Sequence, residues 1–321
     1  MQNALGLPAN IVIDQEGGIV SRLVENFTVF PGNMALAATQ DPFLARQTGL
    51  ALGQEMKAVG IPHTLAPVVD SVTKTSFIGT RSFGEDPDQV IAFAKAMIDG
   101  FHEAGVSVTL KHAPGLRRGI NDSHTNQIFV EISEKEMQEV ELKPFTTLHE
   151  LVETLMTAHV SIPQIDPHHC ATRSSKLLSL IREQMKDVVM ISDSLVMIGC
   201  TPNQNSWEET VAGVTHAAIE SFNAGADYLI LGRLEWAKFE GATTPETNQK
   251  LNFQVLERFC EAVKEGMISE QKLHTSLRRI LDLKFKHFNR KEIPNISVIK
   301  CAKHVELADT IAKKLSLYFL P

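Results

Sequence analysis

The stretch VSVTLKHAPGLRRGINDSH, residues 106–124, joins an apolar run to a polar loop that closes with a carboxylate two residues before a histidine. The apolar run, Val106–Leu110, is typical of a buried β-strand. In an extended segment, residues two apart project to the same side, so Asp122 could hold the Nδ1 proton of His124 and leave Nε2 facing a substrate. The stretch therefore predicts a strand followed by an acid/base pair.

Several other apolar runs of the chain also end at a charged or imidazole residue. The runs 11–13, 65–69, 106–110, 155–158 and 188–192 are followed, in this order, by Asp14, Asp70, Lys111 with His112, His159 and Asp193. Buried strands whose C-terminal ends carry polar side chains are the pattern of a parallel barrel with its active site on that face.

Amphipathic helical stretches separate these runs, which is the rhythm of a parallel α/β protein. The predicted helices are residues 44–59, 87–104, 134–152, 175–185, 210–223, 251–265, 269–288 and 305–317. Gly60, Gly105 and Gly225 follow three of them and suit the left-handed C-cap position. With a last strand at 228–231, about six strands are visible, whereas a TIM-type (β/α)8 barrel needs eight. We therefore expect an α/β barrel from which about two N-terminal strand–helix units are absent.

Composition restricts the partners of this chain. Its 321 residues, 43% of them hydrophobic, with a net charge of -7, suffice for one barrel domain. Lys and Arg are scattered, so nucleic acid is not expected as a partner. No apolar stretch reaches the roughly 20 residues that span a bilayer, and Met1–Pro8 lacks the features of a signal peptide. The compartment stays open, with the cytoplasm favoured.

The cysteines and histidines show no recognisable metal-binding spacing. Cys170, Cys200, Cys260 and Cys301 lie far apart and form no CxxC or Cys/His motif, so neither zinc nor a disulfide framework is indicated. The adjacent histidines at 168–169 are predicted to lie in a solvated loop. We therefore expect no metal and no organic cofactor.

Seven motifs follow one another in an order and at spacings that are characteristic of one enzyme family. They are IDQEGGIVSRL (13–23), FPGNMAL (30–36), APVVD (66–70), IGTRSFGEDP (78–87), KHAPG with DSH (111–115 and 122–124), MTAHV (156–160) and VVMISDSL (188–195). In these motifs the chain resembles glycoside hydrolase family 3, in its β-N-acetylglucosaminidase branch. The DSH element is selective, because the β-glucosidases of the same family lack this loop.

The resemblance implies a retaining β-N-acetylglucosaminidase that removes terminal N-acetylglucosamine from peptidoglycan-derived fragments, such as amino-sugar oligosaccharides or muropeptides, through a covalent glycosyl-enzyme intermediate. It makes Asp193 the nucleophile; the alternative is an N-cap of the following helix. It makes His124 the general acid/base, with Asp122 fixing its tautomer and stabilising the imidazolium. The alternative for His124 is a solvated loop histidine.

The family's sugar-binding positions also carry charged or polar residues here. They correspond to Asp14, Arg22, Arg81, Lys111 and His112. Such groups grip the hydroxyls of the terminal sugar and orient the ring for attack. Structural alternatives exist, because Asp14 could cap the turn at 17–18 and Arg81 could pair with Glu85 or Asp86.

The fit to the family is not complete. Residues 116–118 read Leu-Arg-Arg where the family usually has His-Gly-Asp, which puts the flexibility and product-side contacts of this loop in doubt. Asp122 and His124 nevertheless stay in register. Asp70 and His159 could act as supports behind the sugar-binding groups.

The last residues suggest a second unit. The stretch from His304 is similar to the helix and strand that lead into a second domain in longer family members. We therefore divide the chain into a catalytic barrel at 1–290, N-terminally incomplete, and a linker and helix at 291–321. A missing N-terminal segment or a second domain is a possible partner.

Three rival functions remain open on the sequence. A histidine acid/base would repel phosphate less than a carboxylate would, so a family 3 phosphorylase is one. Lys111 at a strand end could form a Schiff base, as in barrel aldolases. The third is an incomplete, inactive or split barrel with exposed sheet edges that needs a partner segment.

Overall fold

The computed structural model of this chain describes residues 9–287 and 295–319, with side chains to residue 316. The strands are β1 (Val12–Ile13), β2 (Gln15–Gly17), β3 (Val20–Ser21), β4 (His63–Thr64), β5 (Ser107–Ala113), β6 (Ile128–Phe129), β7 (Thr154–Thr157), β8 (Val160–Ser161) and β9 (Val189–Ser192). The centre of the fold is a five-stranded parallel sheet with the order β1-β4-β5-β7-β9. The other strands form a β2–β3 hairpin and a β6–β8 pair.

The helices of the described residues include at least one between each sheet strand and the next, as expected for parallel pairs. They are α1 (Asn33–Ala38), α2 (Pro42–Ala58), α3 (Pro87–Glu103), α4 (Glu134–Glu136), α5 (Lys143–Leu148), α6 (Ser175–Gln184), α7 (Trp207–Ala224), α8 (Pro245–Lys264), α9 (Glu270–His287) and α10 (Ala302–Phe319). The φ angles of Gly60, Gly105 and Gly225 are +80°, +75° and +129°, which confirms the positive φ expected after these helices. The predicted helix end at Phe288 and the loop around Pro294 lie outside the described residues.

One predicted helix is wrong. Residues 134–152 form α4, a π-helical turn at Met137–Glu141, α5 and a 3₁₀ turn at His149–Leu151. Pro144 lies in the first turn of α5 and has no N–H to continue the preceding ladder. The chain instead bonds the Leu142 N–H to the Met137 carbonyl, five residues back.

Two predicted strands differ from the structure. The strand predicted at 65–69 lies instead at β4, directly before this run. Residues 65–69 do not continue it, because Pro67 lacks the N–H that a ladder needs. Val68 still bridges Lys111. The sixth strand, at 228–231, is a single parallel bridge between Tyr228 and Ile191. There the Ile230 N–H donates to Ser192 Oγ at 2.9 Å, so a side chain replaces the ladder carbonyl.

Helices α2 and α3 pack backbone against backbone. A Cβ on Gly100 would lie 2.0 Å from the Arg46 carbonyl oxygen, and one on Gly49 would lie 2.3 Å from the Met97 carbonyl oxygen. Only hydrogen fits at both points. This close crossing covers the sheet with a continuous apolar core that includes Phe101.

A polar layer lies inside the sheet below the strand ends. The Nε2 atom of His63 is 2.9 Å from Thr109 Oγ1 and 3.1 Å from Thr154 Oγ1. Burial lowers the pKa of His63 to about 4, with Glu153 opposing, so the ring is neutral at neutral pH. The layer supports the strands that carry the site above it.

Helix α10 packs against α2. His304 is buried, with Nδ1 2.8 Å from Glu55 Oε1 and Nε2 3.0 Å from Gln54 Oε1, and the Lys314 ammonium donates to Asp41 at 3.1 Å. The described part of the predicted 291–321 segment is therefore in contact with the α/β unit. Among the described residues, no helix is both long and apolar enough to cross a bilayer.

Candidate active site

A cleft of about 350 Å³ opens at the C-terminal ends of the sheet strands. Of the eight predicted site residues, seven line it and Asp122 stands behind it. Those seven are Asp14, Arg22, Arg81, Lys111, His112, His124 and Asp193. The strand ends thus bring together residues that are up to 179 positions apart, from 14 to 193.

One side of the cleft is a buried charge cluster. The Lys111 ammonium donates to Asp14 Oδ1 at 2.8 Å and lies 2.6 Å from Glu16 Oε1. Arg81 donates to both oxygens of Glu16, at 3.0 and 2.8 Å, in the two-pronged geometry that guanidinium and carboxylate favour. Arg81 therefore pairs with Glu16, and not with Glu85 or Asp86 as the alternative had it.

These contacts fix the charges of the cluster. Burial alone would raise the pKa of Asp14, but the ammonium of Lys111 and the guanidinium of Arg22 lower it to about 2. Burial would also raise the pKa of Glu16, but Lys111 and Arg81 lower it. Burial would lower the pKa of Lys111, yet Glu16 and Asp14 raise it. At neutral pH all of these groups are ionised, and a protonated Lys111 is unsuited to Schiff-base formation, which requires a free amine.

Glu16 is a site residue that the sequence reasoning missed. It follows Asp14 by two positions in an extended stretch, which was the available signal, because such residues project to the same side. With 2% of its surface exposed, Glu16 is the anion that holds Lys111 and Arg81 in place.

Replacing Glu16 by glutamine is expected to lower the free energy of unfolding by about 3 kcal/mol, because two buried cations lose their shared counter-ion. Urea unfolding measures the change. The matched control is Glu103→Gln, which breaks an exposed pair with Arg46 and is expected to cost only about 0–1 kcal/mol. Equal losses in the two variants would contradict a structural role for Glu16.

His112 is oriented by Asp70. Its Nδ1 donates to Asp70 Oδ2 at 2.8 Å, and its backbone N–H donates to the same oxygen at 3.1 Å. The other oxygen of Asp70 accepts the Leu116 N–H at 2.9 Å. Nε2 of His112 therefore faces the cleft beside Arg81, at 3.4 Å. Asp70 is the support behind this histidine that its strand-end position suggested.

Asp193 lies at the end of β9, and the Ser194 N–H donates to its Oδ1 at 2.7 Å. Burial would raise the pKa of Asp193, but His159, His112, the Ser194 N–H and Lys111 together lower it. An ionised carboxylate is therefore maintained in a half-buried position. Asp193 is not the N-cap of the following helix, because α7 begins at Trp207 and its N-cap is Ser206.

His124 and Asp122 are in contact, although not through an extended segment. The chain turns here, with the Asn126 N–H bonded to the Asp122 carbonyl at 2.9 Å. Asp122 Oδ1 accepts from the His124 backbone N–H at 2.9 Å and from Nδ1 at 2.6 Å. The ring packs against Trp236, with 4.9 Å between ring centroids. The predicted tautomer, with Nε2 facing outward, is the one that this turn favours.

The loop that carries His124 is attached to the segment after Asp193. The Ile198 N–H donates to the His124 carbonyl at 3.2 Å, and the Gly199 N–H donates to the Ser123 carbonyl at 2.9 Å. A Cβ on Gly199 would lie 3.0 Å from that Ser123 oxygen. The two backbone bonds couple the positions of the imidazole and the carboxylate.

The unusual Leu-Arg-Arg segment is anchored as well. Leu116 lines the cleft. Arg117 donates to the Glu85 carbonyl at 2.6 Å and its N–H contacts the buried Glu141, whereas Arg118 pairs with Glu136. Burial raises the pKa of Glu141 to about 7. These contacts pin both ends of the segment that departs from the family pattern.

Sequence reasoning also missed other residues that line the cleft. They include Met156, Met197, Arg233, Glu235 and Trp236. The last three belong to the stretch after Gly232, for which the sequence analysis predicted no element. A tryptophan there was the available signal, since the chain has only two.

A larger depression, of about 880 Å³, lies at the opposite end of the sheet. It includes Glu153, which precedes β7, and Val188–Val189 at the start of β9. None of the predicted site residues lines it. Because chemistry in parallel α/β folds gathers at the C-terminal strand ends, the smaller cleft is the candidate site.

Parallel strands linked by helices, with acidic, basic and imidazole groups at their C-terminal ends, define the TIM-like (β/α) class of enzymes. The family model described as "Glycosyl hydrolase family 3 N terminal domain" matches residues 1–283. The chain belongs to glycosyl hydrolase family 3. This bears out the resemblance seen in the seven motifs.

Curated relatives and solved structures agree with this family. The beta-hexosaminidase of Haemophilus ducreyi is 34% identical over 232 residues, which are 70% of this chain and 65% of the relative. That of Idiomarina loihiensis is 30% identical over 277 residues, 82% of this chain and 80% of the relative. A family 3 β-N-acetylglucosaminidase from Paenibacillus sp. str. FPU-7 superposes with a TM-score of 0.83 at 31% identity, covering 96% of this chain and 56% of that one. The chain thus spans less than two thirds of the first and third of these proteins.

Proposed function

We propose that this chain carries the site of a retaining β-N-acetylglucosaminidase that hydrolyses terminal β-linked N-acetylglucosamine. The observation that carries the proposal is that Asp193 and His124 line one cleft. Backbone bonds also attach the loop of His124 to residues 198 and 199, which follow Asp193 along the chain. The names of the beta-hexosaminidase relatives point to the same sugar. Peptidoglycan-derived fragments are the proposed source of that sugar.

In the first step, Asp193 attacks the anomeric carbon. Its Oδ1 accepts the Ser194 N–H, which leaves Oδ2 to form the glycosyl ester. His124 gives its Nε2 proton to the departing glycosidic oxygen, so that the leaving group departs as a neutral alcohol. The C–O bond to the leaving group breaks as the C–O bond to Asp193 forms.

In the second step, His124 acts as a base. Its Nε2, now without a proton, removes one from a water molecule that attacks the anomeric carbon and releases Asp193. Asp122 stabilises the imidazolium and holds the ring through Nδ1 at 2.6 Å. The product keeps the β configuration, because two inversions occur at the same carbon.

The charge cluster binds the sugar ring. Lys111, Arg81 and Asp14 present charged donors and acceptors at one wall, and Arg22 and His112 complete it. Their mutual ion pairs hold these groups in position before the substrate arrives, which lowers the cost of orienting the ring.

The proposal is tested with nitrophenyl N-acetyl-β-glucosaminide and its glucoside analogue, assayed in phosphate and in a phosphate-free buffer. We expect release of nitrophenol from the first substrate, with free N-acetylglucosamine as the product in both buffers. Sugar phosphate as the main product would establish phosphorolysis and overturn hydrolysis. Binding of N-acetylglucosamine, followed by the fluorescence of Trp236, provides a second readout. A folded chain that neither cleaves nor binds would contradict the proposal.

The finer architecture is also part of this proposal. We infer that the sheet is the larger part of an eight-unit barrel, with about two strand–helix units to be added between Tyr228 and β1. We assign residues 1–290 to the catalytic barrel and 291–321 to a linker and helix leading to a second domain. Neither a metal nor an organic cofactor is required for this reaction.

A further inference from the structure

A histidine and two cysteines meet behind the nucleophile. His159 follows β7, Cys170 precedes the 3₁₀ turn at Ala171–Arg173, and Cys200 lies in the loop after β9. All three are buried, and their potential ligand atoms lie within 4.8 Å of one another. Their separation along the chain, 11 and 30 residues by number, gave no sign of this cluster.

The hydrogen bonds of His159 select one tautomer. Its Nε2 is 2.9 Å from the Ser194 carbonyl oxygen, which can only accept, so Nε2 carries the proton. Nδ1 then has a lone pair, 3.0 Å from Thr172 Oγ1. A ring N–H bonded to a backbone carbonyl is the usual arrangement behind a metal-bound histidine.

The hydroxyl of Thr172 need not lose its hydrogen bond if Nδ1 takes a metal. Thr172 Oγ1 lies 2.9 Å from the Ala158 carbonyl oxygen, to which it can donate instead. No buried polar group is left without a partner by such an exchange.

A positive charge lies beside the two thiols. Arg173 donates to the Cys200 carbonyl at 2.9 Å, which holds its guanidinium near the cluster. Thiolates, not thiols, are the metal ligands.

We propose that His159 Nδ1, Cys170 Sγ and Cys200 Sγ bind one thiophilic metal ion, Zn²⁺ or Cu⁺. Two thiolates and a neutral imidazole are a ligand set that both of these ions accept. Binding of Zn²⁺ releases the two thiol protons, so the buried site remains neutral; Cu⁺ would leave it with one negative charge beside Arg173. Metal–ligand bonds of about 2.0–2.3 Å require ligand atoms within roughly 4 Å of each other, so modest side-chain rotations complete the site.

The ion would tie together three segments that surround Asp193. His159 already contacts the carbonyl of Ser194, the residue next to the nucleophile. A metal at this point would stabilise the folded chain, because a ligand that binds only the native state shifts the unfolding equilibrium. The inference does not depend on the proposed reaction.

The test titrates Co²⁺, Zn²⁺ and, under anaerobic conditions, Cu⁺ into the full chain after reduction and removal of bound metals. We expect about one equivalent of ion per chain. Bound Co²⁺ should give a sulfur-to-cobalt charge-transfer band, and bound ion should raise the Tm. Binding of Zn²⁺ but not Cu⁺, or the reverse, identifies the ion.

The matched variants are Cys170→Ser with Cys200→Ser, and Cys260→Ser as the control. Cys260 is exposed on α8 and outside the cluster. The double variant should lose the charge-transfer band and the rise in Tm, whereas the control should keep both. Retention of one tightly bound equivalent by the double variant would place the ion elsewhere and overturn the proposal.

Alkylation of the wild-type chain tests the site without a variant that could fail to fold. During timed alkylation of the native chain, Zn²⁺ or Cu⁺ should slow the modification of Cys170 and Cys200, whereas Cys260 should be modified at the same rate with and without ion. Equal modification of Cys170 and Cys200 with and without ion, together with an unchanged Tm, would also overturn the proposal.

Discussion

Replacement of Asp193 by asparagine is expected to lower kcat for an N-acetylglucosaminide on the order of 10⁴-fold or more, since loss of a nucleophile removes the covalent pathway. Asparagine keeps the size of the side chain and the acceptor for the Ser194 N–H, so the fold should remain intact. Nitrophenol release measures the rate, and circular dichroism checks the fold.

The matched control is Asp187→Asn. Asp187 is exposed and lines the large depression at the opposite end of β9, so its charge has no part in the proposed reaction. We expect kcat for this variant within about twofold of the wild type, as for most surface substitutions. A comparable loss in both variants would argue against Asp193 as the nucleophile.

Mass spectrometry gives an independent test of the covalent step. A slow substrate whose glycosyl ester hydrolyses poorly should label the peptide that contains Asp193, and Asp193→Asn should not be labelled. Label on any other carboxylate would reassign the nucleophile.

Replacement of His124 by glutamine is expected to lower kcat by about 10²–10⁴-fold for substrates with poor leaving groups, because protonation of the glycosidic oxygen is lost. The loss in the first step should shrink for a dinitrophenyl glycoside, whose leaving group departs without a proton. With that substrate the intermediate should accumulate, since the base for the second step is also absent. A pre-steady-state burst of dinitrophenol measures this accumulation.

The controls separate proton transfer from positioning. Asp122→Asn should weaken both steps less than His124→Gln does, because the imidazole remains but loses the carboxylate 2.6 Å from its Nδ1. His274→Gln changes an exposed histidine of α9 and should leave kcat unchanged. An equal loss for good and poor leaving groups in His124→Gln would contradict a role in proton transfer.

The fold could be predicted from the sequence wherever a segment had one dominant local preference. Helices α2 and α3 begin at Pro42 and Pro87 behind aspartate caps, and both were predicted to within two residues. The segment at 134–152 was not, because its apolar periodicity continues across Pro144 although its hydrogen bonds cannot. Residues 228–231, predicted as the sixth strand, lie beside β9, but the Ile230 N–H bonds to the side chain of Ser192 instead of to a backbone carbonyl. Strand propensities do not predict such a bond.

The part of the candidate site that lies at strand ends or in motifs could be predicted from the sequence. Asp14, Lys111, His112 and Asp193 follow or end apolar runs, and the structure gathers them in one cleft. Trp236 comes from a stretch without a comparable pattern and contacts His124 only because the chain returns over the site. Such a contact has no local signal.

The amino-acid sequence by itself determined the alternation of strands and helices, and with it the edge of the sheet where polar residues accumulate. That outcome is local: hydrophobic periodicity, proline and capping residues act within a few positions. The tertiary structure alone decided which charges meet, from the Glu16 contact with Lys111 and Arg81 to the cluster of His159 with two cysteines. Coulomb and hydrogen-bond energies depend on distances in space, and burial then sets their strength. The spacing of Glu16 from Asp14 indicates a shared side of the chain, but it does not reveal that Lys111 and Arg81 are the partners.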